Sequence, residues 1–434
     1  MDKNKKKTMV ELGKDALIVL LTCSALWLAS RGRIVVQAPD ETEQFRPTES
    51  QTVEKMETVR PLCLVANGVG GTSSGRCLLR YGTENGDTVF QQASGLLTEA
   101  LAAAGKWEEI SRRDWEKALT DRPSLYFDFQ SEIPAEILSD QYPENLPTVR
   151  RLVLSQGESG MELCLRNEEK GTYYSYQAGT VNPVHLEELL ASLVGDGTFY
   201  AFESAWGSHM DPDTLLHTEP PTPMEYLVSN PVTGGKEMLE ELMSVLGFSV
   251  STSNFYTSGG EQVARNGNNM LRLSDRGTLH YEADMEGSSH FSLPTSRDLK
   301  HDLTQYVNSS RRIINAVMAG RIGQARLYLD KIEERENGTL ITFAYSLDGI
   351  PVRLKEGPAA SFLFRGEYMV EFDLCLRNYT PGEKMGLVMP PRQAAAALEA
   401  LKLGERELML VYSDSGAETV TADWVADCRN AERK

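Results

Sequence analysis

The sequence predicts an α+β fold: an N-terminal transmembrane helix, then an exported body of mainly antiparallel sheets with packed helices. Three observations carry this. An uncharged apolar run, ALIVLLTCSALWLAS, covers Ala16–Ser30 behind a lysine-rich start. Beyond it, short runs with apolar residues at every second position alternate with Gly-, Asn- and Asp-containing turns, as half-buried strands in hairpins do. A few Ala/Leu-rich stretches open on Ser or Pro, as helices do.

The apolar run is short, because a membrane-spanning helix needs roughly 20 residues and at least about 17. Leu12 and Gly13 extend it, and Lys14, Arg31 and Arg33 can snorkel. The lysines of MDKNKKK place the N-terminus in the cytoplasm by the positive-inside rule. A cleaved signal peptide is the rival reading, but the small-residue rule meets Trp27 before Ser30, and Leu20-Leu21-Thr22 is a poor lead into Cys23 as a lipidation site. Thr22, Ala25 and Ala29 share one face at helical spacing, and such small residues let a neighbouring transmembrane helix approach closely. The expected localisation is the cell membrane, single-pass, with the body extracytoplasmic. The expected divisions are a basic cytoplasmic segment (1–15), the anchor (16–30), a polar tether (31–58), a first α+β domain (59–206), a linker rich in Pro and Thr (207–226), and a second α+β region (227–428) that can divide into two subdomains.

Net charge is −18, and the first 33 residues contribute +4, leaving −22 for the rest. Such a body lacks the basic footprint that nucleic acid requires. Six cysteines, Cys23, Cys63, Cys77, Cys164, Cys375 and Cys428, contain no CxxC, so zinc and thioredoxin-like signatures are missing. Cys63 and Cys77 could face each other across a hairpin, while Cys164 and Cys375 fit small buried hydrophobes.

Pro61–Ala66 and Arg76–Tyr81 read as strands around a glycine-rich turn. Ala93–Ala104 and Ser111–Leu119 read as helices, the second capped by Ser111. Ser124–Phe129 alternates as a strand should; Arg150–Ser155, Met161–Arg166 and Gly171–Tyr176 form an antiparallel series, followed by helix Pro183–Val194 and strand Thr198–Phe202. In the second half, helices are expected at Lys236–Leu246, Ser296–Ala319 and Pro390–Leu401. Strands are expected at Met270–Leu273, Thr278–Ala283, Ala325–Glu334, Thr339–Leu347, Pro351–Leu354, Glu367–Leu376, Glu407–Tyr412 and Thr419–Trp424, with Asp348-Gly349 as a hairpin turn. LCLRN occurs at Leu163–Asn167 and again at Leu374–Asn378, each before a proline-led helix and a strand. This echo suggests two related units, with each copy on a strand.

Candidate chemistry is weak. Gly71-Thr72-Ser73-Ser74-Gly75 matches G-x-S-x-G, but RCLLRYG follows where the nucleophile elbow needs a helix. The same glycines have Arg76 where a phosphate loop needs Lys-Ser/Thr. His209, Asp211, Asp213 and His217 could ligate a metal, yet they fall in a polar, proline-rich stretch without a rigid frame. His185, His280, His290 and His301 are scattered, and three Asn-x-Ser/Thr triplets begin at Asn308, Asn337 and Asn378. No catalytic, cofactor or metal residues are expected.

Several segments resemble the bacterial YycH/YycI family of membrane-anchored accessory proteins. They are the basic start with its single anchor, SLYFDFQSEIPAEIL (Ser124–Leu138), and LGFSVSTSNFYTSGGEQVARNGNNMLRLSDRGTLHYEA (Leu246–Ala283) ending in a Gly-x-Leu-x-Tyr strand. The FAYSLDGIPV hairpin, the Gly366–Leu376 strand and the terminal ELMLVYSD and VTADWV runs continue the likeness. It covers the anchor and residues 227–425 best and residues 60–205 loosely. The resemblance implies a non-enzymatic regulator of a sensor histidine kinase in a two-component system that controls cell-wall metabolism. The partners it implies are that kinase and a sister protein of the same type. The alternative is an anchored extracellular module that binds a wall fragment or small molecule.

Overall fold

Period-two alternation builds the first sheet. The computed structural model describes residues 59–427 apart from positions 72–74, 84–85, 104–105, 139–147, 158–159, 180, 234, 285, 294–302 and 403–404. The first lobe runs β1 (Cys63–Asn67), β2 (Arg76–Arg80), α1 (Gly86–Ala102), β3 (Glu108–Ile110), α2 (Arg112–Thr120), β4 (Ser124–Pro134), α3 (Ala135–Leu138), β5 (Thr148–Gly157), β6 (Gly160–Asn167), β7 (Thr172–Gln177) and α4 (Pro183–Ala191). Its seven strands lie in the order β2-β1-β4-β5-β6-β7-β3, each pair antiparallel. Leu64, Ala66, Leu125, Phe127, Leu152, Leu154, Leu163 and Leu165 face α1 and α4. The residues between them, Val65, Tyr126, Val153 and Cys164, face Trp115, Ala118 and Leu119 of α2. A sheet covered on both sides must be apolar on both faces, as these strands are. Ser111 caps α2 by accepting from the Asp114 amide.

The chain then passes through β8 (Thr198–Tyr200) and β9 (Leu215–His217) into the second lobe. There it forms β10 (Met224–Ser229), α5 (Lys236–Val245), β11 (Asn254–Ser258), β12 (Glu261–Asn266), β13 (Asn269–Leu273), β14 (Thr278–Ala283), α6 (Leu303–Met318), β15 (Arg326–Arg335), β16 (Gly338–Leu347), β17 (Ile350–Leu354), β18 (Ala360–Arg365), β19 (Tyr368–Cys375), β20 (Asn378–Met385), α7 (Pro391–Leu401), β21 (Glu407–Asp414), β22 (Thr419–Val420) and β23 (Ala422–Asp427). The large sheet has the order β11-β12-β13-β14-β19-β18-β16-β17-β21-β23, with β15 beside β16. Its β17–β21 pair is parallel. A three-stranded sheet, β20-β10-β22, stands apart from it. Tyr306, Val307, Ile313, Ile314, Val317 and Met318 form the buried stripe of α6, spaced as a core-facing helix requires. One hydrophobic core contains side chains of both lobes, and both lobes belong to one compact unit. The fold is α+β with mostly antiparallel sheets.

Several expectations need correction. Cys63 and Cys77 do not face each other: Cys63 lies opposite Arg80 and Cys77 opposite Ala66, and both are free thiols. The first LCLRN lies wholly on β6, but the second straddles the end of β19 and the start of β20, and Cys375 is only half-buried. Residues 201–217, partly read as linker, are folded into 3₁₀ turns and β9. Among the described residues no helix is long and apolar enough to cross a membrane. Ala16–Ser30, with Thr22, Ala25 and Ala29, lies outside the described residues.

The Asp348-Gly349 turn joins the lobes as well as two strands. Both residues have positive φ, 49° and 69°, as a tight two-residue hairpin turn demands. The Tyr226 hydroxyl donates to Asp348 Oδ2 at 2.6 Å. A Cβ on Gly349 would lie 2.6 Å from Arg80 Cβ and 2.9 Å from the Tyr81 amide nitrogen. Gly349→Ala should therefore lower stability by roughly 1–3 kcal/mol. An unchanged thermal midpoint would show that this turn does not press on the first lobe.

Candidate functional site

Three polar or exposed features could carry function, and magnitudes separate them. The first is a buried ion cluster at the lobe junction. Arg150 and Arg151 are neighbours on β5, and Arg166 follows on β6. Arg150 grips Asp128 with two hydrogen bonds, 2.9 and 3.0 Å, and reaches Glu407 of the second lobe at 2.7 Å. Arg151, only 1% exposed, lies 3.0 Å from Glu407 and 3.2 Å from Asp211. Arg166 donates to Asp213 at 2.6 Å and Asp211 at 3.0 Å, and the Trp115 indole donates to Asp213 at 3.2 Å. Burial works against charge on Asp128 and Asp211, but the facing arginines outweigh it and hold both carboxyls below the ordinary range.

Glu168 behaves differently. Burial raises its pKa despite Arg151 and Arg166, and its Oε1 is buried without a hydrogen bond. A carboxyl with a raised pKa beside other acids is a candidate acid–base group. The crevice it lines, with Asp211, Glu405 and Glu407, has a volume of about 30 Å³. That is room for about one water, not a substrate. The cluster links the lobes through the contacts of Arg150 and Arg151 with Glu407.

The second feature is His280, Glu371 and Asp373 on the large sheet, whose potential ligand atoms lie within 4.8 Å of one another. His280 Nδ1 is 2.8 Å from Asp373 Oδ1, and this hydrogen bond raises the imidazole pKa despite burial. Metal binding needs a neutral imidazole, so the arrangement favours an ion pair. The charged pair's contribution is complete below pH 6.5, the ordinary histidine value, and fades as pH rises through the raised one. An NMR titration should put the His280 midpoint above 6.5, and Asp373→Asn should lower it. A midpoint indifferent to that substitution would remove the pair from the account.

The third feature is an apolar strip at the end of β20. Met385, Leu387 and Met389 are exposed, Leu387 to 98%, while Val388 between them is buried. In extended chain, every second side chain points the same way. The strip continues an edge strand, since β20 is the outer member of β20-β10-β22. Leu227 on neighbouring β10 is also exposed. The backbone is held by the Gly386 amide donating to Pro223 O and the Trp424 indole donating to Met389 O, both at 2.7 Å. An exposed apolar strip on a fixed backbone is a candidate site of protein contact.

The sequence candidates fare variously. Ser73 lies outside the described residues. The four potential ligands between residues 209 and 217 are separated: Asp211 and Asp213 enter the ion cluster, His209 lies 3.1 Å from Glu399, and His217 contacts Thr198 at 3.3 Å. The sequence reads this stretch as a polar linker, because the arginine partners of Asp211 and Asp213 lie far away in sequence. The strip was missed, although three apolar residues at period two in KMGLVMPP are a visible signal.

No family model and no curated protein matches this chain. Among solved structures, an uncharacterized protein from Eubacterium rectale is similar at 12% identity, over 49% of this chain and 78% of that one, with a TM-score of 0.29. A likeness at that score carries no argument.

Proposed function

We propose that this protein is a non-enzymatic, membrane-anchored extracytoplasmic regulator that modulates a sensor histidine kinase of a two-component system controlling cell-wall metabolism. The observation that carries the reading is the exposed strip Met385–Leu387–Met389 on an acidic body. The anchor-like segment Ala16–Ser30 and the resemblance to YycH/YycI accessory proteins support it. The proposed partners are the kinase and a sister protein, the first reached both by the strip and by the small-residue face Thr22, Ala25 and Ala29.

The test is a photo-cross-linking amino acid at position 387 in cells. The expected adduct contains a sensor histidine kinase or a sister protein; labelling of neither would contradict the reading. Ala25→Leu with Ala29→Leu keeps the segment apolar and should weaken co-purification with the kinase, whereas changes at Val19 and Leu26 should matter less. Full association of the double variant would reduce the anchor to a tether. The second reading, a binding module for a wall fragment or small molecule, is favoured by the arginine-bearing cavity beside Tyr81.

A further inference from the structure

Arg311 is a half-buried cation with no carboxylate partner among the described residues. Its Nε is buried and makes no hydrogen bond. The groups acting on its charge are Tyr81 and Arg60, neither of them a carboxylate, and burial lowers its pKa to about 10. Arg150 and Arg151 are more fully buried, yet their carboxylates shift them the opposite way. The face of Phe343 lies 5.7 Å from the Arg311 guanidinium carbon and offers partial compensation. A charge left in that state is costly.

Arg311 lines a cavity of about 210 Å³ between Tyr81 of the first lobe and α6, β15 and β16 of the second. Ile314, Met318 and Phe343 give it a buried apolar floor. Arg60 and Arg326 stand over the Tyr81 ring at 5.5 and 5.4 Å. Among the described residues, Arg326 alone of these three arginines has a carboxylate partner, Asp87 at 3.0 Å. That is unusual in a chain with 62 acidic and 44 basic residues. Junctions between lobes are favoured places for ligand pockets.

We propose that this cavity binds a small organic anion, a carboxylate on a short apolar chain, with the carboxylate paired to Arg311 and the chain against Ile314, Met318 and Phe343. The planar guanidinium fork matches a carboxylate with two parallel hydrogen bonds. The apolar floor suits an alkyl body and offers little to an inorganic oxyanion, which needs donors on several sides. This cavity is separate from the strip on which the kinase reading rests, so either can fail without the other.

Calorimetric titration of the full-length chain in detergent with hexanoate, hexanol and inorganic phosphate tests the proposal. Hexanoate should bind, and hexanol and phosphate should bind at least about tenfold more weakly. Arg311→Met should lose hexanoate binding by a similar factor, yet melt at a higher temperature than the wild type without ligand, because the unpaired Nε and its poorly compensated charge are gone. That gain also shows the variant is folded. Four results would overturn the proposal: no hexanoate binding by the wild type, phosphate binding as tight as hexanoate, equal hexanoate binding by Arg311→Met, or a lower melting temperature for that variant.

Discussion

Replacing Arg151 by Ala should lower the stability of the body by about 3–5 kcal/mol, the usual cost of removing one partner from a buried ion pair. Arg151 is 1% exposed, and its guanidinium lies near Glu407 at 3.0 Å, Asp211 at 3.2 Å and Glu168 at 3.5 Å. Without it, those carboxylates keep their burial and lose a shared cation. The second lobe is affected too, because Glu407 belongs to β21. For a chain of this size the thermal midpoint should fall by roughly 5 °C. A surface pair offers the contrast. Arg112 and Glu116 sit one helical turn apart at 2.8 Å, with Arg112 54% exposed, and Arg112→Ala should cost about 0–1 kcal/mol. Equal losses for the two variants would mean that the buried cluster contributes no more than a solvated pair.

Acid should destabilise the protein steeply. Asp128 and Asp211 have folded pKa values below the ordinary 3.8 because arginines outweigh burial. Their contribution is complete above that unfolded value and is lost as pH falls through the folded ones. Glu168 has the opposite sign. Its folded pKa lies above the ordinary 4.5 because of burial. Its contribution is complete below that value and is lost as pH rises through the folded pKa. Thermal midpoints should therefore drop sharply below about pH 4. Glu168→Gln should match or exceed the wild type at pH 7, and Asp128→Asn should be much less stable there. A Glu168→Gln variant as weak as Asp128→Asn would show that Glu168 is held as a needed anion.

The difference between what was and was not legible in the sequence is physical. Strands β4, β5 and β6 are apolar on both faces because both are covered, and they are plain in the sequence. Strand β11 has no buried residue, and β20 carries Pro381 and Gly382. Both are outer strands, where exposure and proline are tolerated, so period-two reading overlooks them. The ion cluster was hidden for another reason. Asp211 and Asp213 meet Arg151 and Arg166 across long sequence separations, and polarity alone reads such residues as solvated. The strip at Met385–Met389 is local and readable, but a run beside Pro390 and Pro391 reads as a loop.

The most direct test of the regulator account is the phosphorylation of response regulators in cells. It should compare the wild type, a strain lacking this chain, and a strain with a folded, exported Leu387→Asp variant. The account predicts that one cell-envelope regulator changes its phosphorylated fraction in the deletion strain, and that Leu387→Asp shifts it in the same direction. Unchanged phosphorylation of every response regulator in the deletion strain would contradict it.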